Sequence, residues 1–226
     1  MNRQHRKKLV RELVESRQLT QLQELAKRDK RVVGVLCSLL YEQDDHFRWR
    51  AIEALGSVAA TVADTDLQSV RELVRRLEWL MNDESGGAGW HSPEAMAAIV
   101  VNVPPLLDTF GILLASYLRD VGLSRGAHWA VAAVSKVRPD LFTDNVDDLT
   151  ESLESNDPFI RGYAVIALAS IAGDTLAEQT SNIRDDPGTL ELYTRDTGEL
   201  RTTTVGALVR LLTPTGSDQR ESVDVW

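Results

Sequence analysis

Apolar residues recur at helical spacing along nearly the whole chain, and short polar turns interrupt them. Residues 2–17 place Leu9, Val10, Leu13 and Val14 on one stripe, and the run from Gln18 to Lys27 does the same with Leu19, Leu22 and Leu25. From Arg31 a helix carries Val32, Val35, Leu36, Leu39 and Leu40, stops in Gln43-Asp44-Asp45-His46, and is followed by a second helix opening at Phe47. After Asp64-Thr65-Asp66 a further stripe contains Leu67, Val70, Leu73, Val74, Leu77, Leu80 and Met81. Ser92-Pro93-Glu94 starts the next helix, with serine as N-cap and proline at the first helical position, where its missing N–H costs nothing. Pro104-Pro105 ends it. Leu106 to Arg119 and Gly126 to Val137 form another pair that Pro139 terminates, and Val146 to Leu153 with Pro158 to Ala172 forms the last, capped by Asp157.

Beyond Ile183 the period changes from helical to alternating. Leu190-Glu191-Leu192-Tyr193-Thr194, the turn Asp196-Thr197-Gly198 and a β-branched run to Val205 read as one β-hairpin over 189–204. A lone hairpin is marginal in water, so it is expected to pack on the last helices, with Val205 to Leu212 as a closing helix. Residues 214–226 read as a flexible tail.

The helices are not independent of one another. Asp157-Pro158-Phe159-Ile160-Arg161-Gly162-Tyr163-Ala164-Val165-Ile166-Ala167-Leu168 is matched without a gap at an offset of 113, with Arg48 under Arg161, Ala51 under Ala164 and Leu55 under Leu168. A second offset, 41, sets Trp90 over Trp49, Glu94 over Glu53 and Ala95 over Ala54, and His128 takes the Trp49 place in a third copy. The pattern Asp-Pro-x-x-Arg-x-x-Ala-x-x-Ala-Leu resembles the second helix of the HEAT repeat, in the short HEAT-like form also found in phycobilisome lyases. The likeness covers about residues 30–173 and extends to prokaryotic HEAT-repeat proteins of unassigned function. It implies an all-α HEAT-like α-solenoid, a right-handed superhelix of helix pairs, with a small C-terminal β-hairpin. The expected organisation is one domain over 1–213: capping helices in 1–29, four helix pairs in 30–173, and a C-terminal cap in 174–213.

Composition and charge narrow the function. A hydrophobic content of 43% with 26% charged residues is ordinary for a globular chain and excludes disorder. The lone Cys37 has no intramolecular disulfide partner and reads as a small core side chain. The N-terminus lacks the apolar core of a secretory signal, and the apolar stretch 95–118 is broken by Asn102, Pro104, Pro105 and Asp108, so a cytoplasmic protein without a membrane span is expected. Residues 1–50 carry a net +5 and residues 51–226 a net −14, a balance that disfavours duplex nucleic acid as a partner.

Candidate chemistry is sparse. The segment Asn82 to His91 is long for an inter-helix turn, and with Asp83, Glu84, Trp90, His91 and Glu94 it forms either an acidic, aromatic pocket or a structural loop folded over a groove. Trp49, Trp90, His128 and Tyr163 occupy or adjoin equivalent repeat positions with Arg48, Arg125 and Arg161 nearby, which gives either a binding row or arginines bonding between repeats around packed aromatics. The four histidines are scattered and none is followed by glutamate, so no metal site and no cofactor is expected, and the His-Glu pairs of the HEAT-repeat deoxyhypusine hydroxylase are missing. Ser85-Gly86-Gly87-Ala88-Gly89 fits no phosphate-binding loop. The expected function is a non-enzymatic protein-binding scaffold using the concave face, with a protein as partner. The alternative is a small-molecule or modified-base enzyme of the HEAT-like class, DNA-glycosylase-like or bilin-lyase-like, using the 82–94 pocket.

Overall fold

The computed structural model describes residues 1–82 and 91–213, and the chain divides into two compact units, residues 1–110 and 111–226. The described residues are mostly helical, with one two-stranded antiparallel sheet. Among them no helix is long and apolar enough to cross a membrane.

In the first unit α1 (Arg3–Glu15), α2 (Leu19–Arg28) and α3 (Arg31–Leu39) bury the stripes read from the sequence, with Val10, Leu13, Val14, Leu22, Val32 and Leu36 inside. Arg6 is buried with them and donates from Nε to Asp29 at 2.8 Å. α4 (Asp45–Met81) spans both stripes separated by Asp64-Thr65-Asp66, where the sequence suggests a turn. Only Asp66 departs from helical geometry there (φ −155°, ψ 67°). Its carboxylate accepts from Ser69 N at 3.1 Å and Ser69 Oγ at 2.6 Å, so it caps the second half of α4, which begins at this kink. α5 (Ser92–Asn102) packs along α4, and the close approach is at Gly56, where a Cβ would lie 2.5 Å from the Ala98 carbonyl oxygen. His91, not Ser92, is the N-cap of α5; it makes no side-chain capping bond, and Ser92 is buried. α6 (Pro104–Phe110) completes the unit.

The stripe from Leu106 onward does not continue as one helix: α6 stops at Phe110, the last residue of the first unit, and a 3₁₀ segment at Ile112–Tyr117 opens the second. The core is α7 (Ser124–Ser135) against α9 (Pro158–Ile171), with α8 (Val146–Ser152) beside them and Trp129, Tyr163 and Phe142 fully buried. Asp157 caps α9 by accepting from Phe159 N at 3.0 Å, with Pro158 at the first helical position. After a short α10 (Leu176–Gln179), β1 (Thr189–Thr194) pairs with β2 (Glu199–Thr204) in a register from Thr189↔Thr204 to Thr194↔Glu199, and Gly198 turns the hairpin at φ 71°. Leu190 seats on Gly162, and Tyr163 Oη donates to the Glu191 carbonyl at 3.1 Å, so the hairpin lies on α9. α11 (Val205–Leu212) closes the unit against the same helix.

Candidate functional site

The start of α5 brings His91 and Glu94 together. Glu94 is buried, its Oε1 lies 3.2 Å from His91 Nδ1, and its Oε2 has no partner among the described residues. Glu53 on α4 is equally buried but fully engaged: Arg17, in the left-handed region at φ 51°, donates to both its oxygens at 2.8 and 2.7 Å. Among the described residues the Glu53 carboxylate is thus satisfied by an arginine, and that of Glu94 meets a half-exposed histidine. Asp83, Glu84 and Trp90, assigned to the same pocket from the sequence, lie outside the described residues.

The other expected site residues hold elements to one another within their own unit. Trp49 is half-buried on α4, and the neighbouring Arg48 donates to the Glu42 carbonyl at 2.7 Å and pairs with Asp45. In the second unit Arg125 pairs with Asp157 and lies 4.8 Å over the Phe159 ring, joining α7 to the start of α9. Arg161 grips Asp186 at 2.7 and 3.0 Å and the Ser155 carbonyl at 2.6 Å, and it holds the Asp186 carboxyl below the usual range. His128 is buried, its Nδ1 2.8 Å from the Ser124 carbonyl and its Nε2 2.8 Å from Ser152 Oγ. Burial lowers its pKa against the opposing pull of the Ser124 carbonyl and Asp157, which favours the neutral ring.

What the sequence did not disclose is a groove in the first unit, between α3 with its C-terminal turn and the second half of α4. It consists of two clefts of about 670 and 350 Å³ that share Gly34, Cys37, Leu73 and Arg76. The stretch of α4 along it runs from Ser69 to Leu80, roughly 18 Å at the helical rise. Leu40, Leu73 and Leu77 are its buried apolar lining, and His91 and Ser92 also line the larger cleft. Tyr41 lines it with 60% of its surface exposed, and Trp79 on the same half of α4 is 65% exposed. The Cys37 thiol is pushed up to about 11 by burial, so it lines the groove as a neutral, weakly polar group. Gly34 lies at mid-helix, and a Cβ built there meets nothing within 4 Å. The stripe Leu73, Leu77, Leu80 is visible in the sequence as a helix face; that α3 leaves part of it uncovered depends on tertiary packing. Among the described residues no group of three or more His, Cys, Asp or Glu side chains is placed to hold a metal ion.

A protein of Archaeoglobus fulgidus that carries the name "Uncharacterized protein" is 26% identical over 160 residues, which cover 70% of this chain and 84% of that one. No family model matches the chain. No solved structure matches it.

Proposed function

We propose that the protein is a HEAT-like helical-repeat scaffold, built as a solenoid of helix pairs, that binds a segment of another protein. The binding surface is the groove between α3 and the second half of α4. One observation carries this reading: a cleft with a buried leucine lining, a polar rim and an exposed tyrosine, of a volume that accepts side chains. The internal repeats at offsets of 41 and 113 support the architecture, since helix pairs of this kind bury their apolar faces by stacking on one another.

Gly34 supplies the test, because a tryptophan there enters open space and fills the groove without disturbing the core. Affinity capture from native lysate with wild type and Gly34→Trp is expected to retain a protein on wild type and lose it on the variant. Equal captures move the binding surface elsewhere on the chain. Capture of no protein by either sinks the scaffold reading.

The unpartnered Oε2 of Glu94 favours a second reading, a small-molecule or modified-base enzyme at the start of α5, with the carboxylate and His91 as its acid–base pair. Base release from alkylated DNA that disappears in Glu94→Gln would establish it. No release by wild type removes the glycosylase form of this reading.

A further inference from the structure

We infer that Ser152 and His128 form a nucleophile–base pair in the second unit, in a cleft that takes and hydrolyses short, uncharged carboxylic esters. This goes beyond the scaffold reading and uses no residue of the groove.

The geometry starts from the His128 ring. Its Nδ1 lies 2.8 Å from the Ser124 carbonyl oxygen, which can only accept, so Nδ1 carries the proton. In the neutral ring that burial favours, Nε2 is then the bare nitrogen, and Ser152 Oγ lies 2.8 Å from it. The Asp148 carbonyl is also 2.8 Å from this hydroxyl, so its one proton is shared between a carbonyl and a stronger base. His128 is 1% exposed, whereas Ser152, the last residue of α8, is half-buried, and both line a cleft of about 530 Å³. A hydroxyl at hydrogen-bond distance from a base that is oriented through its far nitrogen is the arrangement that covalent catalysis by serine needs.

The cleft supplies the remaining groups. Arg119 lines it and is held against α8 by Asp148 and Glu151, one turn and one residue before Ser152. Those bonds use Nε and Nη2, which leaves Nη1 as a donor for the oxyanion among the described residues. Leu118, Val121 and Ile160 give the lining an apolar part, with Val121 fully exposed, and this part suits a short acyl chain. Asp120, Asp148 and Glu151 outnumber Arg119 there, so an anionic acyl group is repelled and an uncharged one is admitted.

In the reaction Ser152 Oγ adds to the ester carbonyl carbon as its proton passes to His128 Nε2. The ester C–O bond then breaks, and the alcohol leaves with that proton. Water attacks the acyl-serine and gives a proton to Nε2; the bond from the acyl carbon to Oγ breaks, Oγ takes the proton back, and the carboxylic acid leaves. The Ser124 carbonyl and Asp157 both favour the charged ring, so they support the imidazolium that exists between the two proton transfers.

The test is a fluorophosphonate probe, whose phosphorus takes Oγ and releases fluoride, read by intact mass and peptide mapping, together with hydrolysis of p-nitrophenyl butyrate. Wild type is expected to carry the probe on Ser152, and His128→Gln to lose that labelling. Ser152→Ala should lower hydrolysis by about tenfold or more, and Arg119→Ala by about tenfold. Thermal melts within a few degrees of wild type show that the variants keep the fold, and mapping the probe on wild type decides the matter where one of them does not. No probe on Ser152, or hydrolysis unchanged in Ser152→Ala, overturns the inference and leaves His128 as a structural link between α7 and α8. Hydrolysis lost in Ser152→Ala but unchanged in Arg119→Ala removes Arg119 from the oxyanion. Either result leaves the lysate capture with Gly34→Trp to decide the scaffold reading separately.

Discussion

At the scale of single residues, the same side-chain types serve structure in one place and remain available in another, and sequence does not separate the two. His128 and Arg161 sit at repeat positions that suggest a shared binding row, yet His128 bonds Ser124 and Ser152 and Arg161 bonds Ser155 and Asp186. Asp186 lies 25 residues from Arg161, beyond the reach of any local pattern. The neutral His128 has a pH consequence. Its folded pKa lies below the ordinary 6.5, so its contribution to stability is full above that value and is lost as pH falls toward the folded pKa. Urea midpoints measured from roughly pH 7 to pH 5 should fall more steeply for wild type than for His128→Gln. Equal slopes would show that His128 is not held neutral. Gly34 gives a prediction of opposite sign. Gly34→Ala meets no neighbour and gains helix propensity, so it should stabilise by roughly 0.5–1 kcal/mol and raise the Tm by a few degrees. A lower Tm would mean that the folded chain itself needs the glycine.

At the scale of elements, the sequence was most informative where local chemistry decides the structure. Asp157-Pro158 marks the start of α9 because an aspartate cap and a proline at the first position act within one turn, and Leu190, Leu192 and Tyr193 mark a strand by their spacing. Where neighbours decide, it was less so. Asp64-Thr65-Asp66 is legible as the break between two stripes, and α4 kinks there at Asp66, which caps Ser69 and accepts from Lys30 at 2.7 Å, but no separate turn parts its two halves. Ser92 looks like a cap and is instead buried in the first turn of α5. The groove belongs to the same class: its lining is drawn from α3 and from both halves of α4, residues as far apart as Lys30 and Leu80. Arg161 is the residue that ties α9 to the approach of the hairpin, since Asp186 also accepts from Gly188 N at 2.7 Å and, through its carbonyl, from Gly206 N at 3.0 Å. Both members of the pair are largely buried, at 14% and 11% side-chain exposure. Arg161→Ala should therefore cost about 2–3 kcal/mol, below the range for a fully enclosed pair. Chemical denaturation measures that cost, and a loss under about 0.5 kcal/mol would place the pair among ordinary surface bridges.

At the scale of the whole molecule, charge and packing are divided along the chain. Lys30, Arg31 and Arg48 line the groove and fall in the basic first 50 residues of a chain whose net charge is −9, and each is paired with a carboxylate, Asp66, Asp29 and Asp45 respectively, so the groove is not a cationic surface although the stretch it comes from is basic. Each compact unit has its own helix-on-helix core, α4 on α5 in the first and α7 on α9 in the second. The first core is closed at Gly56, where the nearest atoms to an added Cβ are the Ala98 carbonyl oxygen at 2.5 Å and its carbon at 3.0 Å. These are backbone atoms, so Gly56→Ala must move α5 itself, at a cost of about 1–3 kcal/mol. Arg161→Ala acts on the second core. Hydrogen exchange resolved by peptide should then divide the two effects. Gly56→Ala is expected to lower protection in α4 and α5 and leave β1, β2 and α11 as in wild type, and Arg161→Ala to do the reverse. Loss of protection in both units from either substitution would show that the chain opens as one cooperative body.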